Sequence, residues 1–282
     1  MRTTPAGRRG FSLIELLVVI VLMGIIGAAL TRVLLNMQRG SRAQSERVTL
    51  QGNLRAGIAF VTTELRELSA ADLVAAEADR IEYRGMRATG IACAASATQI
   101  TLRDALTFRY RDIVAGRDSL FIFVEADETA ASDDRWVAVG VSGVGAGTCP
   151  GGNAATVITL NTGGAGYTTY TDTLPAIELE APVRTFEHME LARYDADGRS
   201  WLGARSVSAG ETIQPVLGPL SADGLRFSYR NATGNVTATL ANIRRVDVML
   251  VGETGSPVSP GYGGPTIAAD STIARIRLRN AY

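Results

Sequence analysis

Gly10-Phe11-Ser12-Leu13-Ile14-Glu15-Leu16-Leu17-Val18-Val19-Ile20 opens a run that stays apolar as far as Leu30. From Leu16 to Leu30 no side chain carries a charge or a hydrogen-bonding group, and Gly24 and Gly27 are the only breaks in a row of apolar side chains. Counted from Phe11, these twenty residues hold one ionisable group, Glu15. As a helix rising ~1.5 Å per residue they cover roughly 30 Å, the thickness of a bilayer's hydrocarbon core. The flank before them carries Arg2, Arg8 and Arg9 and no acid, which keeps the short N-terminus cytoplasmic by the positive-inside rule. The segment reads as one membrane helix with a long C-terminal part outside.

Two details set it apart from a secretory signal. Such a signal is cut after its apolar run, at a small-residue site, and the run is lost. Here the cleavage point is Gly10-Phe11, ahead of the run, and no Ala-x-Ala site closely follows it. The second detail is Glu15. A carboxylate in the bilayer costs about 2.5–3.5 kcal/mol and calls for a partner. A cut after Gly10 would create one, the new ammonium group of Phe11.

Gly10-Phe11-Ser12-Leu13-Ile14-Glu15 resembles the processing motif of the type IV pilin superfamily, the pilins together with the pseudopilins of type II secretion. The resemblance implies that a membrane-embedded prepilin peptidase cuts between Gly10 and Phe11 and methylates Phe11, and that Glu15 serves filament assembly. It implies other major and minor pilins as partners through the N-terminal helix, and an inner-membrane assembly platform. It implies no catalysis and no cofactor. The expected location is the cytoplasmic membrane, single-pass with an extracytoplasmic C-terminal domain, and then the pilus or pseudopilus. Many major pilins kink this helix with a proline about twenty residues in; here that region has Arg32 and no proline, a departure that favours a minor pilin or pseudopilin.

Beyond Leu35 the composition turns polar, yet Leu50, Leu54, Ile58, Val61, Leu65 and Leu68 keep a helical stripe. No proline stands between Pro5 and Pro150, so the reading is a continuous helix from Phe11 to about Ala70, with weak points at Gly40, Gly52 and Gly57; a break near Gly40 is the alternative. Gly24 and Ala28 sit at small-xxx-small spacing for helix packing. From about residue 80 the period becomes two. The expected strands are 80–86, 99–102, 106–111, 119–125, 135–141, 156–160, 184–194, 201–207, 225–230, 243–251 and 273–279. Asp195-Ala196-Asp197-Gly198 signals a hairpin turn, and glycine-rich loops are expected at 140–152, 163–169 and 252–264. The fold class is α+β: a long N-terminal helix, membrane-spanning then amphipathic, packed on a β-rich domain. Its divisions are a leader over 1–10, the helical segment over 11–75 with the span at about 11–35, and the exported domain over 76–282.

The C-terminal half adds diffuse likeness to the larger minor pilins of the PilW type. It lies in Glu190-Leu191-Ala192-Arg193-Tyr194, Asp223-Gly224-Leu225-Arg226-Phe227-Ser228-Tyr229-Arg230, Ile243-Arg244-Arg245-Val246-Asp247-Val248 and Ile276-Arg277-Leu278-Arg279-Asn280. The J-type pseudopilin of type II secretion is the related possibility. The function these features imply is a minor pilin, a structural or initiating subunit of a type IV pilus. The alternatives are a pseudopilin and a membrane-anchored extracytoplasmic binding domain that never assembles.

Acids and bases balance at 28 each, and every base is an arginine. Losing the leader would remove three arginines and leave 25 bases against 28 acids, so nothing global suggests nucleic acid and no direct nucleic-acid binding is expected. Cys93 and Cys149 fall on the exported side, where a disulfide persists; the other reading is two buried thiols. Catalytic patterns are missing. His188 is the sole histidine and sits in the alternating run Phe186-Glu187-His188-Met189-Glu190. Gly140-Val141-Ser142-Gly143-Val144 lacks the last glycine of a nucleophile elbow, and Gly143-Val144-Gly145-Ala146-Gly147-Thr148 lacks the third glycine of a dinucleotide loop. An EF-hand starting at Asp195 would need its bidentate acid at Ser206. The acidic cluster Glu125, Asp127, Glu128, Asp133 and Asp134 reads as a solvated loop, with a calcium ion as the other reading. No metal site is expected.

Overall fold

The computed structural model describes residues 12–96, 98–124, 135–161, 180–259 and 264–279. Among the described residues one α-helix, α1 (Leu13–Arg66), is followed by twelve strands. These are β1 (Leu73–Ala76), β2 (Arg80–Ala95), β3 (Gln99–Arg103), β4 (Phe108–Arg109), β5 (Asp118–Val124) and β6 (Arg135–Thr148). They continue with β7 (Ala154–Asn161), β8 (Pro182–Ala196), β9 (Arg199–Ser206), β10 (Gln214–Arg230), β11 (Arg245–Glu253) and β12 (Ala269–Arg277). The architecture is α+β. The chain divides into two compact units, Met1–Gln51 with Thr254–Ala268, and Gly52–Glu253 with Ala269–Tyr282.

In the first unit α1 runs unbroken through Gly40, so the two-helix alternative is not adopted. The segment Thr254–Ala268 is tied into this unit by the Gly255 N–H, which donates to Glu46 Oε2 at 3.0 Å.

In the second unit the α1 residues from Gly52 onward bury the stripe Leu54, Val61 and Leu65, and Leu68 just past the helix end is buried too. Two hydrogen bonds fix this part of the helix on the sheet: Tyr83 donates to Glu64 at 2.8 Å and Asn53 donates to the Gly218 carbonyl at 3.4 Å. The helix stops at Arg66, short of the expected Ala70. Ser69 turns to extended backbone, and both its N–H and its hydroxyl donate to Asp72 at 2.8 Å. That local pairing competes with the helical ladder and turns the chain into β1.

Antiparallel pairing runs β1-β2-β3-β7-β6-β5-β8-β9-β10-β11-β12, and β2 also pairs β8 along its length. The extra pairing closes β2-β3-β7-β6-β5-β8 into a ring of six strands. All six send apolar side chains into one core: Ala88 and Ala92, Ile100 and Leu102, Leu120 and Ile122, Val137 and Val139, Ile158 and Leu160, and Val183. Closure leaves these strands no open edge between them. The long strands β2 and β8 run on past the barrel, and β9 to β12 extend the sheet from β8. On β11 the alternation is complete, with Val246, Val248 and Leu250 buried and Arg245, Asp247 and Met249 on the other face.

Residues 140–148, expected as part of a loop, form the second half of β6. Gly143, Gly145 and Gly147 alternate with Val144 and Ala146 and pair with β7 in register from Gly143↔Thr159 to Thr148↔Ala154. A Cβ on Gly147 would lie 2.4 Å from Val157 Cγ2, so the missing side chain is what lets the ladder close here. The expected strand at 106–111 shrinks to β4, because residues 104–106 form a 3-10 turn. The expected loop at 163–169 lies outside the described residues. Asp197 and Gly198 both take positive φ, 52° and 70°, which makes the tight β8–β9 turn.

Candidate functional site

The sequence marks the start of α1 as the site. Ser12 precedes the first helical residue, and its hydroxyl accepts from the Glu15 N–H at 3.3 Å. In return the Ser12 N–H and hydroxyl donate to Glu15 Oε2 at 3.1 and 3.2 Å. This is a capping box: Ser-x-x-Glu satisfies two backbone donors that a helix N-terminus leaves unpaired, and places a carboxylate at the positive end of the helix dipole. Glu15 therefore has a hydrogen-bonding partner in its own chain, Ser12. The pattern Ser12-Leu13-Ile14-Glu15 was readable in the sequence, yet the expected partner was only the Phe11 ammonium. Gly10 and Phe11 lie outside the described residues.

From Leu13 onward the helix presents its apolar side chains outward on every face. Leu13 is 83 % exposed and Met23 70 %, and none of the most apolar window is covered by the rest of the protein. From Leu13 to Leu35 this surface spans roughly 35 Å at ~1.5 Å per residue, which fits a bilayer core. A Cβ added at Gly24 or Gly27 would meet nothing within 4 Å, so the two glycines leave shallow places in that surface. Thr31 returns its hydroxyl to the Gly27 carbonyl at 2.9 Å, which satisfies a polar group inside the apolar half.

The remaining candidates lie in the β-rich unit. Cys93 and Cys149 are joined as a disulfide, with Cα atoms 5.6 Å apart, packed with Ala155. His188 is a β8 residue whose Nε2 is 3.0 Å from Glu82 Oε2. Asp195 accepts from Ser200 at 2.6 Å and pairs with Arg193, so local contacts occupy it. The acidic cluster from Glu125 to Asp134 lies outside the described residues.

One cluster went unnoticed in the sequence. Glu187 is 1 % exposed and receives three guanidiniums: Arg87 at 2.8 Å, Arg111 at 2.9 Å, and Arg117. Arg111 also grips buried Asp118 through both oxygens at 2.7 and 2.6 Å, and Arg117 reaches Glu211 at 2.8 Å. Register brings these groups together, because Glu187 stands opposite Gly85 on β2 and Asp118 on β5. Burial opposes ionisation of Glu187, but hydrogen bonds from Ser206, Arg87 and Arg111 overcome it and hold the carboxyl at about 2. So firmly ionised a group exchanges no proton near neutrality. Its place at the junction of three strands makes it a structural clamp.

Residues 5–31 match the family model described as the prokaryotic N-terminal methylation motif. Neither a curated protein nor a solved structure matches the chain. The match takes in residues 5–10, the Gly10-Phe11 junction, the capping box and most of the exposed apolar helix, and it supports a kinship of this N-terminal part with the type IV pilin superfamily, whose members are pilin-like and pseudopilin proteins.

Proposed function

We propose that the protein is a minor pilin, a structural or initiating subunit of a type IV pilus. Prepilin peptidase removes residues 1–10 between Gly10 and Phe11 and methylates the new N-terminus. Before assembly the subunit rests in the inner membrane on its apolar helix, with the β-rich part outside. It then joins other pilins through that helix, driven by the assembly platform. The observation that carries this reading is the methylation motif over 5–31, continuous with a helix whose apolar surface is open on all sides. Such a surface suits lipid first and neighbouring helices afterwards.

Glu15 acts in that exchange. In the single chain the capping box shelters its carboxylate. In a filament the ammonium of a neighbour displaced along the axis becomes the better partner, since a full charge outweighs a hydroxyl in an apolar setting. Subunits in register are then selected over those out of register. Mass spectrometry of the N-terminal peptide from membrane-extracted protein tests the processing step. A methylated peptide beginning at Phe11 is expected, and Gly10→Trp should leave the leader attached. An intact leader on the wild-type membrane protein would remove the pilin reading.

A further inference from the structure

The outward face of β10, β11 and β12 gathers arginines from three distant stretches of sequence. Register sets them in rows: Arg230, Arg245 and Arg277, then Ser228, Asp247 and Arg275, then Arg226, Met249 and Ile273. With strands ~4.8 Å apart and ~3.4 Å per residue, five guanidinium stems rise from a patch about 14 Å by 10 Å. A single acid shares the grid. Asp247 pairs with Arg230 and Arg245, each at 2.7 Å. Arg226, Arg275 and Arg277 are exposed, and their side chains have no hydrogen bond or ion pair among the described residues. Nearby acids have their own bases or lie at the margins. Glu77 pairs with Arg80 and Asp79 with Arg193, Asp223 sits in the β10 bulge, and Glu253 is at the far end of β11. In a chain with 28 bases and 28 acids, this face is a strong local excess of positive charge.

We propose that this face docks the phosphodiester backbone of duplex DNA, without reading its sequence. A guanidinium fork grips phosphate oxygens in pairs, and rigid strands hold the forks apart in fixed rows. A duplex offers one charge per ~1.7 Å of axis, so arginines on three strands all find phosphates at once. Single strands are bound by stacking on aromatic side chains, and these rows hold none. Lipid insertion needs a broad apolar face, whereas here one isoleucine, Ile273, stands well exposed at 63 %. The expectation of no nucleic-acid binding rested on charge averaged over the whole chain, which conceals this face. The inference is independent of filament assembly, because it concerns the β-rich unit alone.

The test is fluorescence anisotropy of a mixed-sequence duplex with the full mature chain in nonionic detergent. Five arginines less the charge of Asp247 leave a net of four, which gives a slope of log affinity against log salt near −3.6, roughly a 150-fold loss from about 50 to 200 mM salt. The Arg275→Ala/Arg277→Ala variant should bind on the order of tenfold more weakly and reduce the slope by about 2, to a loss of roughly 12-fold over the same range. Arg226→Ala, on another strand, should reduce it by about 1, and Arg55→Ala, exposed on α1, should change nothing. No duplex binding at the lower salt, or binding that the double variant leaves intact, would overturn the proposal. So would single strands bound as tightly as the duplex, anionic vesicles displacing it, or polyglutamate displacing it at equal charge, since carboxylate-rich protein would then be the better partner.

Discussion

Glu187→Gln is the sharpest perturbation the fold allows. Glutamine keeps the size and shape of the side chain but removes the charge that holds Arg87, Arg111 and Arg117 together at the β2–β5–β8 junction. Breaking a buried pair by neutralising one partner typically costs about 3–5 kcal/mol, a large share of the roughly 5–15 kcal/mol of a whole domain. The pH dependence gives an independent magnitude. The carboxyl titrates at about 2 in the folded chain against 4.5 unperturbed. A lowered folded-state value means that the stabilisation is fully present above the unfolded value. It is lost as pH falls from 4.5 through about 2. The difference corresponds to about 3 kcal/mol in all, of which about 2 kcal/mol is gone by about pH 3. Urea unfolding of the detergent-solubilised chain, followed by circular dichroism between about pH 7 and pH 3, should show the wild type losing this increment. The variant should be weaker at neutral pH and correspondingly flatter on the acid side. Glu67→Gln, at the exposed ion pair with Arg66, serves as the comparison and should cost no more than about 1 kcal/mol. A Glu187→Gln protein within about 1 kcal/mol of wild type, with an unchanged acid limb, would refute the clamp.

Three further outcomes are expected. Glu15→Ala should leave membrane insertion and cleavage largely intact but sharply reduce co-purification with other pilin subunits; undiminished recovery would make Glu15 incidental. Glu15→Gln separates its two roles, because glutamine preserves the capping box with Ser12 and lacks the charge: recovery like wild type assigns capping, recovery like alanine assigns charge pairing. Replacing Cys93 and Cys149 by serine opens a loop with a sequence separation of 56 and should lower stability by about 4 kcal/mol at most; two reactive thiols in unreduced, unfolded wild-type protein would contradict the bond.

What the sequence made legible was local. The apolar run, the Ser12–Glu15 spacing and the stripe through Leu54, Val61 and Leu65 are set by neighbours one helical turn apart, and period-two alternation located most strands for the same reason. The tight β8–β9 turn was equally plain in Asp197-Gly198, since only φ-permissive residues make it. The glycine-rich stretch 140–148 misled because glycine marks loops in most contexts. Here it marks close crossing of β6 and β7, and the side chain that demands it, Val157, lies on another strand. The helix end was misplaced for a related reason, since the stripe continues to Leu68 while Ser69 and Asp72 divert the backbone.

The features that sequence concealed share one cause, which is strand register. Arg87, Arg111, Arg117 and Glu187 read along the chain as ordinary charges in alternating segments. They converge because Glu187 falls opposite both Gly85 and Asp118, a consequence of closing the barrel through β2–β8 that no local pattern encodes. The five arginines of β10 to β12 converge likewise, through Arg230↔Arg245↔Arg277 and Asp247↔Arg275. Because side chains alternate, a one-residue slip of β12 would turn Arg275 and Arg277 inward and Ile276 outward. The buried side chains of Val246, Val248 and Ile276 forbid that slip. The same hydrophobic alternation that packs the inner face therefore fixes the charge pattern of the outer one, so a variant that repacks the first should be expected to disturb binding by the second.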